Sequence, residues 1–148
     1  MEITLEHAKN QDGTINNVPL IKYPVRIVFT GTRGFEDYEL FSKVTTQYIK
    51  DKKLDLEHVL FISGNAKSGA DAFAIRYAIE NNIDYILFNA QWDEFGKSAG
   101  FIRNVEMSKF ATACLAFWDQ ISKGTKHMLD VCSKINLPTR MFIIKVDD

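Results

Sequence analysis

The chain has little cysteine, histidine, proline or net charge. Its 148 residues hold 2 cysteines, Cys114 and Cys132, both within apolar runs and without CxxC or Cys/His spacing. Two buried free thiols are therefore expected, with a disulfide or a metal site a distant second reading. The 3 histidines, His7, His58 and His127, share no spacing with one another; none receives a catalytic role, and no metal site is expected. With 18 basic against 19 acidic residues the net charge is −1. That balance offers no basic stripe to duplex nucleic acid or to an anionic membrane, so neither is the expected partner. No apolar run approaches the ~20 residues needed to cross a bilayer. The opening Met-Glu-Ile-Thr lacks a basic-then-apolar signal pattern, and a cytoplasmic protein is expected.

What is present is ordinary in amount and informative in order. Apolar residues make up 46% and charged residues 25%, with 11 phenylalanines, enough for one domain with an aromatic core. From residue 25 onward, near-continuous apolar runs mark strands at Val25–Thr30, Val59–Ser63, Tyr85–Phe88, Ala113–Trp118 and Met141–Val146. Pro24 and Pro138 sit just before the first and last of these, where a missing N–H does little harm. Between the strands run helical stripes: Leu40, Phe41, Val44 and Tyr48; Phe73, Ala74, Tyr77 and Ala78; and Met128, Leu129, Cys132 and Ile135. The alternation predicts an α/β fold, a Rossmann-like doubly wound parallel sheet of about five strands. Residues 1–24 read as an N-terminal extension. There Ile3 and Leu5 alternate with polar residues, Asp12-Gly13 is a turn signal, and Ile15, Val18 and Leu20 follow, a pattern that reads as a β-hairpin or as a loosely ordered tail. The domain proper is 25–148.

In open α/β sheets ligands bind beyond the carboxyl ends of the strands, so the loops there carry the functional reading. After the first strand come Gly31-Thr32-Arg33-Gly34, with glycines that let backbone amides approach an anion and an arginine with a forked donor. After the second, Gly64-Asn65-Ala66-Lys67-Ser68-Gly69-Ala70-Asp71 runs directly into a helix. A helix N-terminus suits phosphate. Ser68 and Asp71 also have capping-box spacing, while the P-loop order of residues is absent. Residues 98–111 form a helix with an inward stripe of Gly100, Met107, Phe110 and Ala111, onto which Arg103 and Asn104 also project. A guanidinium on such a stripe must meet either a buried carboxylate, with Asp71 as one partner, or the ligand cleft. After the fourth strand, Asp119-Gln120-Ile121-Ser122-Lys123-Gly124-Thr125 enters another helix, with Ser122 or Thr125 as cap and Gly124 permitting close approach. Trp92 and Trp118 fall at the same edge, where an indole serves as core, rim or a platform for a base.

Together these segments resemble the SLOG superfamily of Rossmann-like domains, in its YspA/YpsA-related branch. The resemblance covers roughly residues 25–146. It rests on Thr-Gly-Thr-Arg (30–33), Ser-Gly-x-Ala-x-Ser-Gly-Ala-Asp (63–71), Ala90-x-Trp92, Gly-x-x-Ala-Gly-x-x-Arg-Asn-x-x-Met (96–107), Ala-Phe-Trp-Asp (116–119) and Ser-x-Gly-Thr (122–125). It implies a nucleotide-derived ligand over the carboxyl edge of the sheet, a role in signal sensing and self-association into homo-oligomers. No cofactor is required. The superfamily also includes the DNA-protecting DprA proteins and the Lonely Guy phosphoribohydrolases. The latter cleave a base from a nucleoside monophosphate with a helix arginine and a glutamate after a phosphate loop. Arg103 matches that arginine, but the glutamate position falls at Met128.

The expected function is therefore binding of a nucleotide or nucleotide-derived molecule of ADP-ribose or NAD type. Its site would draw on Gly31, Thr32, Arg33, Gly64, Ser68, Gly69, Asp71, Trp92, Arg103, Asn104, Ser122, Gly124 and Thr125. The enzymatic alternative is a nucleoside-monophosphate N-glycosidase, which needs a carboxylate near the ribose to support an oxocarbenium-like transition state. Arg103, Asp71 and Asp119 would be its catalytic candidates, with Glu106 as another carboxylate. A third reading, single-stranded nucleic-acid binding, is weakened by the near-neutral charge.

Overall fold

The computed structural model describes residues 2–9, 15–90 and 92–146, with backbone alone up to residue 20. Two antiparallel strands, β1 (Glu2–Lys9) and β2 (Ile15–Pro19), form the N-terminal extension; the Asp12-Gly13 turn lies outside the described residues. The domain that follows is built from β3 (Val25–Gly31), α1 (Tyr38–Asp51), β4 (Val59–Ser63), α2 (Gly69–Glu80) and β5 (Asp84–Leu87), then a short α3 (Trp92–Phe95), α4 (Ala99–Phe110), β6 (Ala113–Trp118), α5 (Lys123–Lys134) and β7 (Thr139–Ile143).

The five strands pair in the order β5-β4-β3-β6-β7, all parallel. The chain starts at the centre with β3, steps outward to β5, then returns to lay β6 against the other side of β3. Its winding therefore reverses between β3 and β6, and the loops after those two strands diverge to opposite faces, leaving a crevice.

Period-two alternation in the strands divides the core into two layers. Ile27, Phe29, Phe61, Leu115 and Phe117 face α1 and α2, packed with Phe41, Tyr48, Ala74 and Tyr77. The rings of Phe29 and Phe61 lie 4.5 Å apart, and those of Phe41 and Phe117 5.0 Å apart. Val28, Leu60, Ile62, Cys114 and Ala116 face α4 and α5, packed with Met107, Phe110, Met128 and Cys132. Both thiols are buried and free.

Three strands differ in their bounds from the sequence reading: the first runs one residue further, to Gly31, and the third and last are both shifted towards the N-terminus. The last strand spans Thr139–Ile143 rather than Met141–Val146. Cys114 N donates to Pro138 O at 2.9 Å, so the ladder with β6 begins immediately after the proline. The third expected strand starts one residue earlier, at Asp84, which pairs with Leu60, and ends one residue earlier, at Leu87. β7 is an edge strand, and its Met141 and Ile143 remain exposed. Leu40 and Ile135, expected on inward stripes, are exposed as well. Leu40 lies in the first turn of α1 and Ile135 is the C-cap of α5. No helix among the described residues is long and apolar enough to cross a membrane.

Candidate functional site

The crevice at the switch point is a real cavity. The lobe that gathers most of the expected residues, here the main lobe although the smaller at about 340 Å³, is lined by Thr30–Gly34 at the end of β3 and beyond it, Ala66 and Asp71 from the β4–α2 segment, and Ser122, Gly124 and Thr125 at the start of α5. The outer wall comes from Trp92, Lys97, Gly100, Phe101, Arg103 and Asn104. A second lobe of about 510 Å³ adjoins it, lined by Gly64–Ser68, Asn89 and Ala90, and shares Arg33, Ala66, Trp92 and Arg103 with the first.

Close backbone approach shapes the floor. A Cβ on Gly31 would lie 2.7 Å from Phe117 O and 2.8 Å from the Ala70 Cβ. Only hydrogen fits there, so the β3 loop lies flat against β6. Thr32 extends this seam: its N–H donates to Phe117 O at 3.0 Å, and its Oγ1 accepts from Asp119 N at 3.1 Å. Gly69 adopts φ +74°, with Thr32 O only 2.6 Å from where a Cβ would stand. The β3 loop thus rests on the first turn of α2, and glycine is needed there for both conformation and space.

Neither serine expected to cap a helix does so. Ser68 and Ser122 occupy the N-cap positions of α2 and α5, yet neither side chain bonds back to its helix. The capping box between Ser68 and Asp71 does not form, because Asp71 turns inward and its Oδ2 accepts from Ala66 N at 3.2 Å. Thr125, the other expected cap of α5, is buried instead. By contrast α1, whose first turn does not line the cleft, is capped by Asp37, which accepts from Leu40 N at 2.9 Å. Both helices are thus left without side-chain caps, and the start of α5 lines the cleft, where a helix N-terminus and its positive dipole end suit an anion. Gly124 faces open space, with no atom within 4 Å of a Cβ built there.

Arg103 projects from α4 into the boundary between the two lobes. Its Nη1 donates to Gly64 O at 3.0 Å, while its Nε is buried and without a partner. A Cβ on Gly64 would lie 2.9 Å from Asp71 Oδ2 and 3.0 Å from the guanidinium carbon, so this glycine makes room for both charged groups. They do not close to a direct ion pair, yet each acts on the other. Burial raises the proton affinity of Asp71, opposed by Arg103, the Ala66 N–H and Arg33. Burial lowers that of Arg103, opposed by Asp71. The core salt bridge offered as one role for Arg103 is therefore absent.

Asp119 is not a cleft carboxylate. Its Oδ1 accepts from Ile121 N at 2.9 Å and Ser122 N at 2.8 Å, bonds that hold its proton affinity below the ordinary aspartate range. It shapes the loop that leads into α5. Met128 is fully buried among the residues between the sheet and α4. The residue that the resemblance sets at the Lonely Guy glutamate position is thus turned into the core. Trp118 donates its indole N–H to Ser122 O at 3.1 Å, whereas Trp92 is half exposed at the rim of both lobes.

Of the residues expected at the site, the main lobe gathers Gly31, Thr32, Arg33, Asp71, Trp92, Arg103, Asn104, Ser122, Gly124 and Thr125. Gly64 and Ser68 line the second lobe, and Gly69 supports the floor from beneath. The sequence reading did not single out Lys97 or Phe101. Phe101 directly follows the small Gly100, whose Cα faces the Trp92 ring; that small-then-aromatic step was the available signal.

This is a doubly wound α/β domain with a crevice at its topological switch point. Residues 25–95 match the YAcAr family, the YspA, cpYpsA-related SLOG family. The Gene 61 protein of Mycobacterium phage D29 is 31% identical over 123 residues, which cover 79% of this chain and 95% of the phage protein. The chain belongs to the YspA, cpYpsA-related SLOG family. Its fold is also that of DNA processing protein A from Helicobacter pylori, a protein studied for its single-stranded DNA binding mode. The two superpose with a TM-score of 0.61 at 13% identity, over 95% of this chain and 72% of that one.

Proposed function

We propose that the chain binds a nucleotide or nucleotide-derived small molecule, of ADP-ribose or NAD type, in the switch-point cleft. The observation that carries this reading is the opening of the α5 N-terminus, without a side-chain cap, onto a cavity whose wall holds Arg103 with an unpartnered buried Nε. Phosphate would lie against the amides of Ser122–Thr125, countered by Arg103 or Arg33, and Trp92 or Phe101 would receive a base. Binding is favoured over N-glycosidic hydrolysis because Asp71 is the only carboxylate in the main lobe among the described residues, and it is engaged with Ala66 N beside Arg103.

A second reading is single-stranded nucleic-acid binding. The half-exposed Trp92 and Phe101 at the cleft mouth favour it, since bases of any sequence stack on such rings. Chemical-shift mapping with ADP-ribose, NAD, AMP and a short oligothymidylate separates the two, backed by a salt titration. A compact nucleotide site gives saturable shifts in the β3, β4 and β6 loops and weak dependence on salt. An oligonucleotide that binds more tightly than any mononucleotide or dinucleotide, with affinity falling steeply as salt rises, would favour the strand-binding reading.

A further inference from the structure

His127 lies on α5 behind the cleft wall. Its ring stacks on that of Phe101, with centroids 4.2 Å apart and planes inclined by 26°. Its Nδ1 lies 3.2 Å from Asn104 Nδ2, and the same Nδ2 stands 3.3 Å from Gly124 O. A carbonyl oxygen can only accept, so the atom facing Gly124 must be the amide nitrogen. That nitrogen then meets His127 Nδ1, which must accept as well. Nδ1 therefore carries no proton, and the neutral ring keeps its proton on Nε2. With both amide hydrogens committed, Asn104 is left with Oδ1 as its free acceptor. Asn104 lines the cleft. Among the described residues, the buried side-chain polar atoms without a partner are Thr45 Oγ1 and Arg103 Nε, so Asn104 Oδ1 is not sealed in without a partner, and the cleft that Asn104 lines is the space it is proposed to serve.

We propose that His127 is a positioning residue that fixes Asn104 Oδ1 as an acceptor in the cleft wall, so that the site selects a ligand presenting a hydroxyl or amino donor there and releases it when the ring takes up a proton. This rests on the nucleotide-binding reading, in which a ribose hydroxyl or the exocyclic amine of a base has the required chemistry. A proton on Nδ1 sets N–H against N–H. The amide must then turn over, which points Oδ1 at the ring, or the ring must leave Phe101; in both cases the cleft loses its acceptor. The surroundings keep the ring neutral near neutral pH. Burial lowers its proton affinity, Asp130 opposes that and Lys134 adds to it. Both charged groups lie on α5, and from α4 the ring meets the uncharged Phe101 and Asn104.

The test begins without ligand. In isotope-labelled protein the Asn104 side-chain amide and the His127 ring are followed by NMR from about pH 8 to about pH 5. The amide is expected to shift with the same midpoint as the ring, and to stop responding in His127→Phe, which keeps an aromatic ring against Phe101 but has no acceptor. ADP-ribose is then titrated calorimetrically. Affinity should fall roughly tenfold in Asn104→Leu and in His127→Phe, and wild-type affinity should fall as pH drops through the His127 midpoint while that of His127→Phe stays flat. An Asn104 amide indifferent to His127 titration overturns the proposal, whatever binds. So does ADP-ribose affinity that is unchanged across the midpoint and in Asn104→Leu. If ADP-ribose binds no form while the amide and ring titrate together, the nucleotide reading fails and the positioning role of His127 stands.

Discussion

Replacing Arg103 with alanine distinguishes a ligand-binding arginine from a structural one. In the free protein the guanidinium makes one hydrogen bond, to Gly64 O at 3.0 Å, and carries a buried Nε without a partner. A hydrogen bond to a charged donor contributes about 1.5–3 kcal/mol. Removing the side chain also relieves its desolvation, and water admitted to the cleft reaches Gly64 O and Asp71. The net loss of stability should therefore be about 1 kcal/mol or less, a shift of about 2–4 °C in melting temperature. Ligand binding should suffer more, because a charge-assisted and bidentate contact is lost. A cost of about 1.5–3 kcal/mol corresponds to a roughly 10- to 150-fold weaker Kd. Urea unfolding of the free protein and calorimetric titration of ADP-ribose measure the two quantities independently. A loss of ~3–5 kcal/mol in the free protein, the cost of stranding one partner of a buried pair, would refute the reasoning and make Arg103 a structural ion held by Asp71.

Gly69→Ala should destabilise the protein by about 1–3 kcal/mol in urea unfolding, since φ is +74° and Thr32 O lies 2.6 Å from the new Cβ; an unchanged midpoint would mean that the β3 loop does not rest on α2. Asp71→Asn should stabilise the free protein at neutral pH. Burial raises the proton affinity of Asp71 in the fold, so ionisation costs stability as pH rises through the folded value, and asparagine keeps an acceptor for Ala66 N. The gain should vanish at pH values below the ordinary aspartate range, where both states of the wild type are protonated. Destabilisation at neutral pH would show that attraction to Arg103 outweighs burial. Incubation of the wild type with AMP should release no free adenine by chromatography; release that disappears in Arg103→Ala would favour the N-glycosidase.

The parallel sheet and its two covering layers were legible because residues such as Ile27, Val28 and Phe29 are buried on both faces, giving apolar runs that no surface helix shows. β7 read less accurately because it is an edge strand: its burial alternates, and the apolar run continues past it to Ile144 and Val146. Arg103 and Asn104 were legible because each breaks an apolar helical stripe, a costly departure with a local signature. The glycine requirements at 31, 64 and 69 depend on atoms distant in sequence, such as Phe117 O against Gly31, and no spacing encodes them. The capping box at Ser68 and Asp71 was misread for the same reason. Its spacing was right, but Arg103, a residue of another helix, lies beside the carboxylate.

The central claim is that the amides at the start of α5 receive phosphate, and Gly124 is the position at which it is tested most directly. Nothing lies within 4 Å of a Cβ built there, and its backbone is not among those with positive φ, so valine fits the fold while its methyls occupy the cleft. Calorimetric titration of ADP-ribose into wild type and Gly124→Val, with urea midpoints recorded for both, is the decisive comparison. Saturable binding by the wild type, abolished in the variant at nearly unchanged stability, is the predicted result. Equal affinity in the two proteins would contradict the claim and leave the loop as a structural turn into α5.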